Sequence, residues 1–161
     1  MLIRPATNGD VAAITGIYNQ SVADTTASFD LVPKTPEERA AWLERHGPRH
    51  PVIVADVDGV IAGWASLSPY SERPAYDDTA EISIYIDHGW HRRGIGAALG
   101  MELLARARAA GLHCIIARIC TENEASLNLT RSLGFTDAGT LHQVGFKFGR
   151  WLDVAQLELV L

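Results

Sequence analysis

One short stretch of the chain combines a carboxylate, two adjacent arginines and two closely spaced glycines: Glu81, Arg92, Arg93, Gly94 and Gly96. Glycines allow the backbone to approach a bulky phosphate because no Cβ stands in the way. The arginines add full positive charges, and a carboxylate can accept a proton from a reacting group. A phosphate site and a carboxylate on one element predict chemistry on a substrate delivered by a phosphate-bearing cofactor.

The elements around these residues predict how they are positioned. Residues 81–86 alternate as a strand, with Ile82, Ile84 and Ile86 on one face, and the glycines open a long helix. Free backbone N–H groups and the helix dipole both attract anions at a helix N-terminus. A pair of glycines is also common at ordinary turns, so a turn that binds nothing is the alternative interpretation.

Two familiar phosphate-binding motifs do not fit this loop. A dinucleotide fingerprint requires a third glycine or alanine at position 99, where the chain has Leu99. A P-loop requires lysine and then serine or threonine after its last glycine, but Ala97 and Ala98 follow Gly96.

Composition excludes several classes of protein. A chain of 161 residues predicts one domain, residues 1–161, and a net charge of −5 provides no general field for nucleic acid. No apolar run approaches the roughly 20 residues of a membrane span, and no signal-peptide pattern is present. Cys114 and Cys120 would lie roughly 20 Å apart on one strand, too far for a disulfide. We therefore expect a cytoplasmic protein with free thiols, no metal, and neither nucleic acid nor membrane as partner.

Periodicity predicts the element order β-α-α-β-β-β-α-β-α-β-β. The clearest signals are a helix start at Thr35 and a hairpin centred on Asp58 and Gly59. A helix between the strands at 81–86 and 114–119 requires those strands to be parallel in a mostly antiparallel sheet. Ligands bind where such strands separate. Phe29 belongs to an irregular segment, and it either fills the core or covers a pocket.

The strand, the loop and helix over residues 92–99, the next strand, and then Asn123, Ser126 and the segment 133–135 together resemble the GNAT superfamily of acetyl-CoA-dependent N-acetyltransferases. The resemblance covers nearly the whole chain. Residues 75–81 and 144–153 look like the phosphinothricin and methionine sulfoximine N-acetyltransferases. The resemblance implies an α/β (α+β) three-layer fold, with a mixed, mostly antiparallel sheet of about seven strands flanked by about four helices.

The resemblance also implies a set of acetyl-CoA contacts. The loop would bind the pyrophosphate through backbone N–H groups, and the strand would pair with pantetheine. His91 replaces the glutamine or arginine usual in the superfamily, so a charge is lost or becomes pH-dependent. For Asn123, the alternative is a role as helix N-cap. The implied cofactor-binding residues are Ile84, Tyr85, Ile86, His91, Arg92, Arg93, Gly94, Ile95, Gly96, Asn123 and Ser126.

Glu81 matches the general base of the family, which the reaction needs because amines arrive mostly as ammonium ions. A solvent-facing strand carboxylate is the alternative. Arg73 and Tyr76 match substrate-site residues of the family, and the Arg73 guanidinium would hold the carboxylate of an amino acid. Phe29 and Ser83 match residues of the pocket wall. Two positions depart from the pattern: Ser71 replaces a basic residue, and Thr130 replaces a tyrosine or histidine that would serve as an acid.

The leading hypothesis is an N-acetyltransferase that moves acetyl from acetyl-CoA directly to the α-amine of a small amino-acid-like acceptor, without a metal. The alternatives are another amine acceptor, such as a polyamine, an aminoglycoside or a protein N-terminus, and a non-catalytic acyl-CoA-binding module. The family usually forms homodimers. Trp151 and the last strands are suited to an interface, although they are equally suited to core packing.

Overall fold

A computed structural model describes residues 1–161 as seven strands in one sheet and four α-helices, in the element order expected from the sequence. The strands lie in the order β1-β2-β3-β4-β5-β7-β6. The elements are β1 (Leu2–Pro5), α1 (Val11–Asp24), α2 (Pro36–Glu44), β2 (Val52–Val57), β3 (Val60–Pro69), β4 (Thr79–Ile86), α3 (Ile95–Ala109), β5 (Cys114–Cys120), α4 (Glu124–Ser132), β6 (Thr136–Lys147) and β7 (Arg150–Val160).

The pairing of β4 with β5 is parallel, whereas all other neighbouring strands are antiparallel. This parallel ladder is short, since its last pair is Glu81 with Ile116. Beyond that pair, β4 stays with β3 as far as Ile86, and β5 stays with β7 as far as Cys120. The sheet therefore divides into two halves, and the backbone groups of β4 on the side of β5 are left without a strand partner over residues 82–86.

Helix α3 is fixed against the sheet by an apolar stripe. Leu99, Leu103 and Ala107 are completely buried in the main core, as their helical spacing predicts. On the opposite face, Glu102 accepts a hydrogen bond from Arg106 at 2.8 Å in an i,i+4 ion pair. Burial of the stripe holds the N-terminus of α3 beside the end of β4.

The second face of the sheet is covered by α1 and α2. The sequence placed Tyr85 on the face opposite the isoleucines, and on that face its ring packs 4.8 Å from that of the buried Trp64. Arg39 lies in the same layer, with its guanidinium 4.3 Å from the centroid of the Tyr18 ring, and burial lowers its pKa. Strand β4 is therefore packed on both faces, which makes it a rigid support for residues at its edge.

Two expectations from composition concern the cysteines and membrane spans. Cys114 and Cys120 lie at opposite ends of β5, and both are free thiols, as expected. None of the four helices combines the length and the apolar character needed to cross a membrane.

Candidate active site

The loop between β4 and α3, residues 87–94, has the backbone conformation of an anion site. Arg92 and Gly94 both have positive φ, at 62° and 78°, so the amides between them and the helix turn towards one side. A Cβ at Gly94 would meet nothing within 4 Å, and the first turn of α3 contains no acidic residue. The loop therefore presents unshielded N–H groups at the positive end of a helix of 15 residues.

Side-chain hydrogen bonds fix this anion loop in place. The Gln20 side chain donates to Asp87 Oδ2 at 2.7 Å and accepts from the His88 backbone N–H at 3.0 Å. His91 Nε2 lies 3.0 Å from the Ile86 carbonyl oxygen, so this ring ties the loop to the end of β4. These contacts hold the loop in one conformation, which lowers the ordering cost of binding an anion.

Two of the predicted loop residues have a different environment from the one expected. Arg93 stacks on the Trp90 ring, 4.8 Å from its centroid, and does not line the adjoining cavity. Gly96 is a contact point between helices, because a Cβ there would lie 2.9 Å from Leu129 Cδ2 of α4. The absence of a side chain at position 96 therefore serves helix packing as well as access to the loop.

Two connected cavities occupy the gap between β4 and β5. The outer cavity, about 840 Å³, is lined by the anion loop, and the inner cavity, about 490 Å³, is lined by Glu81. They share seven lining residues: Thr26, Ala27, Ile84, Tyr85, Asn123, Ser126 and Leu129. The two cavities adjoin along these residues. Together they form one passage, with the anion loop at one end and Glu81 at the other.

Glu81 does not stand free in this passage, because Arg118 of β5 pairs with it. Arg118 Nε donates to Glu81 Oε1 at 2.9 Å, and Nη2 donates to Oε2 at 2.6 Å. These hydrogen bonds raise the pKa of the Arg118 guanidinium. No sequence motif pointed to Arg118, because only the register of β4 and β5 brings the two residues together. The Glu81 side chain is 22% exposed and that of Arg118 is 53% exposed, so both are accessible from the passage.

The loop between α1 and α2, residues 25–35, forms one wall of the inner cavity. Phe29 lines the cavity, and its ring rests on Gly145 of β6 so closely that a Cβ there would lie 2.2 Å from a ring carbon. The buried Lys147 ammonium donates to the carbonyl oxygens of Thr25 and Ser28 at 2.8 and 2.7 Å. Of the two alternatives for Phe29, the structure therefore supports the pocket wall.

Tyr18 presents a neutral hydroxyl to the same cavity. It donates to Asp30 Oδ2 at 2.5 Å and lies 2.9 Å from Ser28 Oγ, and burial raises its pKa. Tyr18 lies on α1, and the return of the α1–α2 loop brings Asp30 to it.

Helix α4 supplies the remaining predicted polar residues. Asn123 Oδ1 accepts from the Ser126 N–H at 3.1 Å, so Asn123 caps the helix while it also lines both cavities. Thr130 is buried and lines the inner cavity. Ser83 lines the inner cavity beside Glu81, as the sequence predicts.

Arg73 and Tyr76 lie outside both cavities. Arg73 precedes a short 3-10 turn, Pro74–Tyr76, and both side chains are exposed. The Tyr76 ring packs against Tyr70 with centroids 5.3 Å apart. Within one chain, the structure thus brings Phe29 and Ser83 to Glu81 but does not bring Arg73 or Tyr76 there.

Comparisons with known proteins agree with this architecture. The acetyltransferase (GNAT) family model matches residues 14–135. Phosphinothricin N-acetyltransferase of Streptomyces viridochromogenes is 41% identical over 152 residues, 94% of this chain and 83% of that protein. The L-methionine sulfoximine/L-methionine sulfone acetyltransferase of Salmonella typhimurium is 39% identical over 162 residues, 100% of this chain and 95% of that protein. A phosphinothricin acetyltransferase from Sinorhizobium meliloti, solved with acetyl-CoA, superimposes with a TM-score of 0.95 at 36% identity, covering 99% of this chain and 88% of that one.

Proposed function

Since this chain belongs to the acetyltransferase (GNAT) family, we propose that it acetylates the α-amine of phosphinothricin or methionine sulfoximine, with Glu81 as general base. The chain is an N-acetyltransferase that uses acetyl-CoA as co-substrate. The observation that carries the finer proposal is the continuous passage from the anion loop to Glu81.

The residues present fit acetyl-CoA, which supplies the activated acetyl group as a thioester. The N–H groups of the anion loop and the charge of Arg92 suit its pyrophosphate. The unpaired edge of β4 over residues 84–86 suits the amide groups of the pantetheine arm, which would add to the sheet as a further strand does. Asn123 and Ser126 line the passage opposite this edge.

Glu81 would take the proton from the acceptor. Only an amine with a free lone pair can attack a thioester, so the ammonium form must lose a proton first. Each Glu81 oxygen uses one lone pair on Arg118 and keeps another for the amine. The new C–N bond forms as the C–S bond breaks. Because the Thr130 hydroxyl is a poor acid, we propose that the sulfur leaves as thiolate or takes a proton from water.

The shape of the inner cavity favours a small acceptor. Its volume is about 490 Å³, and Phe29, Tyr18 and helix α4 line it. This volume suits an amino acid with a compact tail, such as the acceptors named for the relatives. From the sequence resemblance, Arg73 and Tyr76 remain predicted acceptor contacts, and we expect the enzyme to work in the cytoplasm.

We also propose that the enzyme is a homodimer that uses the β6–β7 hairpin. Phe146 and Trp151 are exposed on this hairpin with their rings 5.0 Å apart, and together with the exposed Val144 on the same face of β6 they form an apolar patch. Contiguous exposed aromatic residues of this kind mark interaction surfaces. A second copy of the chain is the partner that the family resemblance favours.

Thiol release from acetyl-CoA over a panel of acceptors tests the function. We expect turnover with phosphinothricin or methionine sulfoximine, and N-acetylated product by mass spectrometry. Spermidine, an aminoglycoside and a peptide with an N-terminal alanine are the competing acceptors. Faster turnover with one of these would replace the proposed acceptor, and binding of acetyl-CoA without turnover of any amine would indicate a non-catalytic module.

A further inference from the structure

Arg118 lines the inner cavity and keeps part of its hydrogen-bonding capacity unused. A guanidinium has five N–H donors, and Glu81 engages only Nε and Nη2. No other protein acceptor contacts the Arg118 side chain, which is 53% exposed. The edge formed by Nη1 and the second Nη2 proton is therefore available, and its two parallel donors match a carboxylate.

The charges of the inner cavity leave few alternatives for an acidic ligand group. Arg118 is the only cation among the residues that line it. The two anions of that lining are Glu81 and Asp30, and Asp30 is occupied by the Tyr18 hydroxyl. An acceptor carboxylate that enters the cavity therefore finds one positively charged partner, directly beside the proposed base.

The contact between Arg118 and Glu81 matches the chemistry of an α-amino acid. In such a compound the amine and the carboxylate are bonded to the same carbon, so an amine at Glu81 carries its carboxylate to a neighbouring position. Arg118 Nη2 lies 2.6 Å from Glu81 Oε2, so the guanidinium is beside the place where the carboxylate of such an acceptor would lie. Arg73, by contrast, lies outside the cavity within one chain.

We propose that Arg118 binds the α-carboxylate of the acceptor with its free Nη1/Nη2 edge while its Nε/Nη2 edge holds Glu81. This inference rests on the proposed function and names the substrate class: α-amino acids with a free carboxylate. One guanidinium then holds both the acceptor carboxylate and Glu81, the base that takes the proton from the acceptor ammonium. Binding of the carboxylate therefore orients the amine towards Glu81. Arg73, which the family resemblance implies as the carboxylate contact, is the competing assignment.

The test compares each acceptor with its α-carboxamide, in which the anion is removed and the amine kept. For wild type, we expect kcat/KM to fall about 10- to 100-fold from acid to amide, the usual effect of one charged hydrogen-bond partner. In Arg118→Met, kcat/KM for both acids should fall by a similar factor, whereas the amides should change much less because both changes remove one interaction. Arg118→Lys, which keeps the charge without the fork, should be intermediate.

Matched variants separate this role from others. Arg131→Met removes an arginine that pairs with Asp137 through the same two nitrogens on the outside of α4, and it should leave the preference for the acid intact. Arg73→Ala tests the competing assignment. The proposal is overturned if Arg118→Met slows acids and amides equally, which would indicate support of Glu81 alone, or if only Arg73→Ala removes the preference.

Calorimetry of phosphinothricin binding to the enzyme–CoA complex gives a readout that does not depend on turnover. If wild type binds the acid about tenfold or more tightly than Arg118→Met does, carboxylate recognition stands even where acetyl transfer fails. If wild type turns over the acids and Arg118→Met binds them equally well, the proposed function survives and this inference does not. Unchanged acetyl-CoA affinity shows that the variant is folded.

Discussion

At the scale of single residues, the proposed mechanism depends on the Glu81 carboxylate, and Glu81→Gln is its direct test. The amide cannot accept a proton but fills nearly the same space, so kcat should fall by roughly 10²–10⁴-fold. Acetyl-CoA affinity, measured by calorimetry, should barely change, because the anion loop lies at the other end of the passage. A decrease in kcat of less than about threefold at neutral pH would rule out Glu81 as the base.

At this scale, some residues of the site could be predicted from the sequence and Arg118 could not. Glu81, Ser83 and Phe29 were predicted as site residues from the family resemblance, and all three line one cavity. Arg118 is adjacent to Glu81 only because β5 is parallel to β4 and is paired in one register. No local pattern contains that information, since the two residues are 37 positions apart.

At the scale of elements, Gly96 belongs both to the anion loop and to the contact between α3 and α4, so a substitution there is expected to have two effects. Gly96→Val should weaken acetyl-CoA binding, because a branched side chain stands at the helix N-terminus. It should also destabilise the fold, because its Cβ would lie 2.9 Å from Leu129. Calorimetry and urea unfolding of Gly96→Val, Leu129→Ala and the double variant separate these effects. Recovery of stability without recovery of affinity is expected, and recovery of both would remove Gly96 from the cofactor site.

Lys147 gives a second prediction at this scale, because it joins β6 to the α1–α2 loop. Burial lowers the pKa of Lys147, and its ammonium is held by loop carbonyl groups. Lys147→Met should lower the free energy of unfolding by about 1–3 kcal/mol and raise KM for the acceptor more than for acetyl-CoA. Lys34→Met, which removes an exposed pair with Asp30, is the control and should change stability by less than about 1 kcal/mol. Equal effects of the two variants would show that the loop does not depend on Lys147.

The elements themselves were largely predictable, because their signals are local. Thr35 accepts from the Glu38 N–H at the start of α2, and the Asp58–Gly59 turn joins β2 to β3, as turn and cap chemistry require. The separation of β4 from β5 after Glu81 was expected only in general terms. The residue at which the two strands separate depends on how far β4 pairs with β3 and β5 pairs with β7. That pairing is a property of the whole sheet.

At the scale of the whole molecule, stability in acid should depend on Asp10. This carboxylate accepts from Arg4 at 2.8 and 2.9 Å and from Thr7, which lowers its pKa to about 2 from 3.8. Because the folded-state pKa is depressed, its contribution is complete above pH 4 and is lost as the pH falls towards 2. The shift corresponds to about 2 kcal/mol for a side chain that is only 7% exposed. Urea unfolding of Asp10→Asn should lack this pH dependence, whereas the exposed-site variant Asp77→Asn should keep it.

Assembly is the last property of the whole molecule that the structure makes testable. We expect light scattering to give twice the chain mass of 17.5 kDa for wild type. Trp151 is 62% exposed within the patch on the β6–β7 hairpin, so Trp151→Glu would place a charge in a buried apolar interface and should give the monomer mass. Met101→Glu, at an equally exposed apolar position on α3, should remain dimeric. A monomeric wild type would exclude the dimer. A dimeric Trp151→Glu would show that the interface lies elsewhere than on the hairpin, and the exposed aromatic residues of the hairpin would then need another partner.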